Sequence, residues 1–339
     1  MKQSILNAVS VLCVFFLTVI STAQAEMADK PVSYDAQLTG YKYPFPVKHY
    51  VFLSQNQSLK MNYMWLPGDT EKPVVVLLHG KNFNGAYWQQ TAQWLSDRGY
   101  SVLIPDQIGF GKSSKPVNYQ YSFSVLAHNT RQLMSSLKID KAIVVGHSMG
   151  GMLATRFALN YPETTHKLIL VNPIGLENYL HYVTYQDVGF FMKGELKSTA
   201  EGVVAYQQKN YYDGQWNDTY AALAEPLIGW LQGSDWPQLA QVSALTYDMI
   251  FTQPVVEEFK DLQVPAALIL GTRDRTGPGR NWMKPGVDYE LGRYDRLGDQ
   301  IRQRNPAIDV YELDGLGHLP QIEDFERFEA VFDRALTGP

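Results

Sequence analysis

The 339-residue sequence predicts an α/β fold. A mostly parallel eight-stranded sheet is expected, with helices on both faces and a helical cap inserted late in the chain. Three observations predict it. Short continuous apolar runs alternate with helix-length segments, which implies a doubly wound sheet. One run leads straight into the turn Gly146-His147-Ser148-Met149-Gly150. Finally, the alternation stops for nearly ninety residues before it resumes.

The chain opens on a leader-like segment. Lys2 supplies a positive end, residues 8–20 form an apolar stretch, and Ala23-Gln24-Ala25 is a small-residue cleavage site. Cleavage after Ala25 and export to the periplasm or the medium are therefore expected. The stretch is short for a membrane span of about 20 residues. No second long apolar run follows, so the mature chain is expected to make no stable membrane insertion. The single cysteine, Cys13, lies inside the leader. A mature chain without thiols excludes cysteine nucleophiles, disulfides and thiolate metal sites. With 29 basic against 34 acidic residues and a net charge of −5, nucleic acid is not an expected partner. An apolar fraction of 45% supports a sizeable core.

Residues 49–53 and 60–65 alternate in the manner of an antiparallel pair at one sheet edge. The runs VVVLL (74–78), SVLI (101–104), AIVV (142–145), LILV (168–171) and AALIL (266–270) suit strands buried on both faces. DVYEL (309–313) reads as an edge strand. Helices are expected over residues 87–97, 124–137, 149–160 and 324–335. The core is thus placed at 26–176 and 263–339, and the cap at 177–262. The cap interval carries 15 aromatic residues. Most are expected to form its own small core, with a few facing the cleft beneath. Tyr185, Phe190, Tyr211, Tyr212 and Trp216 are the candidates for that lining.

The Gly-x-Ser-x-Gly turn takes its meaning from a strand entering and a helix leaving, which lifts Ser148 above the carboxyl edge of the sheet. A serine needs a base to become a nucleophile. In such sites the order is serine, acid, histidine, and only His166, His181 and His318 follow Ser148. His166 starts a strand run and His181 sits in the insertion, whereas His318 follows the final strand. The acid is expected at the end of the preceding strand, which selects Asp274 in Gly271-Thr272-Arg273-Asp274. The end of the LILV strand offers only Asn172; Glu177, further on, is a weaker candidate. For an oxyanion hole the expected donors are the N–H groups of Met149 and of Lys81, the latter in the loop His79 to Gly85. The Lys81 side chain itself is expected to be solvated. Gly111-Lys112-Ser113 is not a phosphate loop, since Asp106 stands where that motif needs glycine. It reads as a tight turn beside the Lys81 loop.

The segments HGKNFNG, PDQIGFGKSSKP, VVGHSMGG, LILVNPIGL, ILGTRDRT and LDGLGHLPQIE, in that order, resemble the α/β-hydrolase superfamily. The likeness is to its capped, exported bacterial lineage of esterases and carbon–carbon-bond hydrolases. It spans about residues 35–335. The resemblance implies Ser148 as nucleophile, His318 as base, Asp274 as acid, and Lys81 with Met149 as oxyanion donors. Two departures stand out: the loop continues Lys-Asn-Phe rather than through glycine or proline, and a long spacer separates Asp274 from His318.

The leading expectation is hydrolysis of a small ester, carboxylesterase-like, through an acyl-enzyme. The alternatives on the same triad are cleavage of a carbon–carbon bond in a vinylogous diketone, or perhydrolysis. From another class comes a non-catalytic binding protein that kept the fold. The expected partner is a small-molecule substrate, with no cofactor and no metal.

Overall fold

A computed structural model describes residues 32–338, so the leader expected over residues 1–25 lies outside the described residues. Eight strands form one sheet in the order β1-β2-β4-β3-β5-β6-β7-β8. They are β1 (Val47–Ser54), β2 (Gln57–Leu66), β3 (Val74–Leu78), β4 (Val102–Pro105), β5 (Ala142–His147), β6 (Thr165–Val171), β7 (Ala266–Gly271) and β8 (Ile308–Leu313). The β1–β2 and β2–β4 pairs are antiparallel, and every other pair is parallel.

Side chains alternate across a strand, and here both faces are apolar because both are covered. Val75, Leu77, Ile143, Val145, Ile169 and Val171 point to one face. That face is covered by α1 (Gln89–Asp97) and α11 (Phe325–Thr337), through Trp94, Leu95, Phe328 and Phe332. Val76, Leu78, Val144, Leu168 and Leu170 point to the other. It packs on α2 (Phe123–Ser136), α3 (Met149–Asn160) and α9 (Tyr294–Arg304). Burying each such side chain is worth roughly 1.5–3 kcal/mol. The ends are set by side chains as well: the Ser122 hydroxyl accepts the Val125 N–H to start α2, and Asp324 accepts the Arg327 N–H to start α11.

Between β6 and β7 no strand forms. Five helices fill the interval: α4 (Tyr179–Tyr182), α5 (Val188–Glu195), α6 (Ala200–Asn210), α7 (Asp218–Leu231) and α8 (Trp236–Thr252). Asp187, Thr199 and Asn217 cap α5, α6 and α7. This inserted helical region is a cap over the carboxyl edge. The long spacer after β7 reaches up to it: Val183 and Met283 form an antiparallel bridge, and the Thr184 N–H donates to the Trp282 carbonyl. The remainder of the spacer forms α9 and then β8; α10 (Pro320–Glu323) follows His318. Among the described residues, no helix is long and apolar enough to cross a membrane.

The turn after β4 is tied together by Asp106. Its buried carboxylate accepts from the N–H groups of Gly85 (2.8 Å) and Lys112 (2.7 Å) and from the Tyr43 hydroxyl (2.6 Å). Ser113 adds a bond to the Asp106 carbonyl. The Gly-Lys-Ser turn thus braces the loop that carries Lys81. Asp106→Ala would leave three donors without an acceptor and is expected to cost about 3 kcal/mol. Urea unfolding would measure it, and an unchanged midpoint would contradict the bracing role.

Candidate active site

Parallel strands end on one edge, so the loops after β3, β5 and β7 come together there. β5 delivers Ser148 on a turn whose backbone is strained, with φ 55° and ψ −123°. Gly146 and Gly150 are small for a steric reason: a Cβ on the first would lie 2.1 Å from the Gly150 carbonyl oxygen, and on the second 2.3 Å from that of Leu78. The Ser148 hydroxyl donates to His318 Nε2 at 3.0 Å, and His318 Nδ1 donates to Asp274 Oδ2 at 2.6 Å. All three residues are buried. Ser148, His318 and Asp274 therefore form the hydrogen-bonded run of a serine-hydrolase triad.

Burial alone would raise the Asp274 carboxyl. His318, together with the Thr276 N–H, outweighs that and holds it below the ordinary carboxylate range. Asn172 also grips this carboxylate. At the end of β6, where the sequence offers no acid, its amide donates to Asp274 Oδ2 (3.0 Å) and its oxygen accepts the Gly271 N–H (2.8 Å). Sequence reasoning passed over this residue by looking there only for a carboxylate. Its place at the end of the strand next to β7 was the available signal.

The N–H groups of Met149, at the first turn of α3, and of Lys81 have no acceptor among the described residues. Lys81 and Ser148 line the same cavity, of about 290 Å³. The Lys81 side chain departs from the expectation that it would be solvated. It is only 13% exposed, donates to Ser243 Oγ at 2.6 Å and lies 3.4 Å from Glu195 Oε1. Ser243 donates to that same carboxylate oxygen at 2.6 Å. Two cap helices, α5 and α8, are thereby clasped to the loop after β3, since a lysine beneath a cap finds partners instead of water.

Of the five aromatic candidates, Tyr211 alone lines the cavity holding Ser148. Its ring stacks on His318 at 4.7 Å, and its hydroxyl accepts from the Asn82 amide. Tyr212 is instead buried against Tyr220, ring on ring at 3.6 Å, with Trp216 edge-on beside it. Tyr185 and Phe190 are exposed on the outside of the cap. Packing against Tyr220 claims the first pair; Phe190 faces outward on α5, and Tyr185 lies in the loop between α4 and α5, its hydroxyl bonded to Asp248. The aromatic walls are Tyr206, Tyr247 and Trp282, beside the cations Lys209, Arg275 and Arg280. A second hollow of about 410 Å³ adjoins it and shares Lys81, Asn82, Tyr206 and Tyr247.

Comparison with known proteins agrees with this arrangement. A family profile for the alpha/beta hydrolase fold matches residues 73–231. The crystal structure of a probable hydrolytic enzyme from Pseudomonas aeruginosa PAO1 superposes with a TM-score of 0.88 at 42% identity, covering 91% of this chain and 99% of that one. A 2-hydroxy-6-oxo-6-phenylhexa-2,4-dienoate hydrolase of Burkholderia cepacia is 41% identical over 106 residues, 30% of this chain and 37% of its own length. An uncharacterised Mycobacterium tuberculosis protein is 36% identical over 111 residues, 33% of this chain and 32% of its own. The chain thus spans about a third of the length of these curated relatives.

Glu177, the weaker acid candidate, makes no hydrogen bond to His318. It accepts the Gly292 N–H at 3.0 Å, and burial pushes its carboxyl up to about 6 from an ordinary 4.5. A raised folded-state value favours folding below pH 4.5, and that advantage is lost as pH rises through about 6. The loss amounts to about 2 kcal/mol. Glu177→Gln lacks the dependence, so its stability relative to the parent should rise by that amount between pH 4.5 and 8. Urea unfolding at both pH values checks this; a gap that stays constant would refute the shift.

Proposed function

This chain belongs to the α/β-hydrolase superfamily, and from that premise we propose that it is a serine hydrolase that takes the acyl part of an anionic substrate onto Ser148. The observation that carries the reading is the Ser148–His318–Asp274 run opening into a cavity rimmed by Lys209, Arg275 and Arg280. Among the described residues, Lys209 and Arg280 have no carboxylate within ion-pair distance. The rim therefore has positive charge to offer a ligand.

Two bond classes fit, and carbon–carbon cleavage in a vinylogous diketone has the better support. The Burkholderia relative is named for a hydroxy-oxo-dienoate, which contains no ester, so its hydrolysis must break a carbon–carbon bond. Such a substrate also carries a carboxylate for the rim. In the diketone tautomer, reached when the enol hydroxyl loses its proton and the carbon beside the keto group gains one, Ser148 Oγ would attack the keto carbon while its proton passes to His318 Nε2. The N–H groups of Lys81 and Met149 would hold the oxyanion, each worth about 2.7–4 kcal/mol. As the bond breaks, its electron pair leaves on the dienolate carbon, which takes the proton from His318. Water, deprotonated by the same imidazole, then releases the acid from Ser148. Asp274 holds the imidazole tautomer throughout.

Ester cleavage is the second reading. The same adduct would expel an alkoxide protonated by His318, and the hollow beyond Tyr206, lined by Val203 and Leu227 as well as by Lys81, Glu195 and Lys197, gives an alcohol part room. Residues 177–262 act as the cap in either reading, and the leader-like residues 1–25 point to a site of action outside the cytoplasm.

Ser148→Ala should lower turnover by several powers of ten while melting is unchanged. Parallel assays with a hydroxy-oxo-dienoate and with p-nitrophenyl esters decide the bond class; hydrolysis of the esters alone would overturn the first reading. Arg280→Gln should raise KM for the dienoate about tenfold and leave that for neutral p-nitrophenyl acetate within twofold, as loss of one charge-assisted contact implies. Equal effects on both substrates would remove Arg280 from carboxylate recognition.

A further inference from the structure

Behind the triad lies a fully buried polar group that the proposed chemistry does not use. His147, the residue before the nucleophile, is fully buried, as is His79 nearby, and the Tyr87 ring beside them is 5% exposed. The Tyr87 hydroxyl accepts the Gly80 N–H at 3.2 Å and donates to His147 Nδ1 at 2.9 Å. His147 Nε2 then donates to the backbone carbonyl of His318 at 2.8 Å. The directions are forced: a carbonyl only accepts, so Nε2 carries the proton, Nδ1 must accept, and Tyr87 must supply that hydrogen. One continuous chain of three hydrogen bonds thus runs from the loop after β3, through the nucleophile turn, to the loop after β8.

The two ends of this chain matter. Gly80 immediately precedes Lys81, whose N–H is the proposed oxyanion donor, and His318 is the proposed base. We infer that Tyr87 and His147 are positioning residues, which set the Lys81 amide and the His318 imidazole at their correct distances from Ser148. This rests on the serine-hydrolase reading given above. A loop amide misplaced by a fraction of an ångström loses much of its hold on a developing oxyanion, while the ground-state substrate scarcely notices. Burial, and secondarily the neighbouring His318, lowers the His147 pKa to about 3, so the ring is neutral near pH 7 and the bond directions hold there. Packing holds the chain in place. The Phe83 ring stacks on Tyr87 at 4.9 Å, and the Trp88 ring stands perpendicular to His147 at 6.3 Å. Neither Tyr87 nor His147 lines the cavity that contains Ser148, so substrate binding does not depend on them directly.

The test uses the full chain and two probes, an alkyl fluorophosphonate and p-nitrophenyl acetate. Tyr87→Phe keeps the ring stack and removes the hydroxyl; His147→Phe removes both ring nitrogens. Each should slow phosphonylation of Ser148 and lower kcat for the acetate about tenfold or more, with KM within twofold and the melting temperature little changed. Should one variant fail to fold, the other carries the same measurement. Wild-type rates in a folded variant, or a loss confined to KM, would overturn the positioning role. Ser148→Ala runs alongside: if it retained turnover, the serine-hydrolase reading itself would fall. If it were inactive while Tyr87→Phe matched the parent, only the present inference would fail.

Discussion

Everything at the site depends on one strained backbone conformation. Ser148 is held at φ 55° and ψ −123°, a region that side chains other than glycine rarely occupy. It persists because its surroundings leave no alternative. Gly146 and Gly150 bring β5, α3 and β3 into direct backbone contact, and the Ser148 carbonyl accepts from the Gly151 and Ile174 N–H groups at 2.9 and 3.1 Å. The strain turns the hydroxyl out of the sheet, and the following helix starts with unpaired N–H groups beside it. A relaxed turn would put the same serine inside the core.

Around that turn the interior is polar, and hydrogen bonds link its groups to one another. Asn172 and Thr276 hold Asp274, while Tyr87 and His147 join the outer loops. An unpaired group at such depth costs about 1–3 kcal/mol, so each partner also fixes the position of the next. On the cap side, Lys81, Ser243 and Glu195 make a second, smaller cluster. The Lys81 residue therefore serves two layers at once: its backbone faces Ser148 and its side chain anchors the cap. Motion of α5 or α8 would be felt at that backbone through a single side chain.

The aromatic residues of the cap show where local reasoning stops. Enrichment over residues 177–262 accompanies a helical insertion, but most of its rings join the two clusters on the faces of the sheet rather than a separate core. It does not say which rings join those clusters and which face the cleft. Tyr211 and Tyr212 are neighbours, yet one stacks on His318 and the other on Tyr220, because Tyr211 ends α6 and the chain turns there. Trp282 and Arg280 reach the cavity from the spacer after β7, nearly a hundred residues from the cap's first helices. The Val183–Met283 bridge, the backbone bonds Thr184–Trp282 and Lys284–Tyr182, and the packing of Phe190 and Phe191 on Trp282 bring those segments together.

The strands, their order of burial and the triad were legible in the sequence because each is written in local pattern. Runs such as VVVLL and AIVV signal strands covered on both faces, and Ser148, Asp274 and His318 each directly follow a strand in a fixed order. Parallel strands then bring these positions to one edge whatever the details of the loops. The partners of Lys81, the grip of Asn172 on Asp274, and the choice of Tyr211 over Tyr185, Phe190, Tyr212 and Trp216 were decided by tertiary structure alone. Each depends on the phase and approach of elements far apart in the chain, and local periodicity carries no information about which distant surface a side chain will meet.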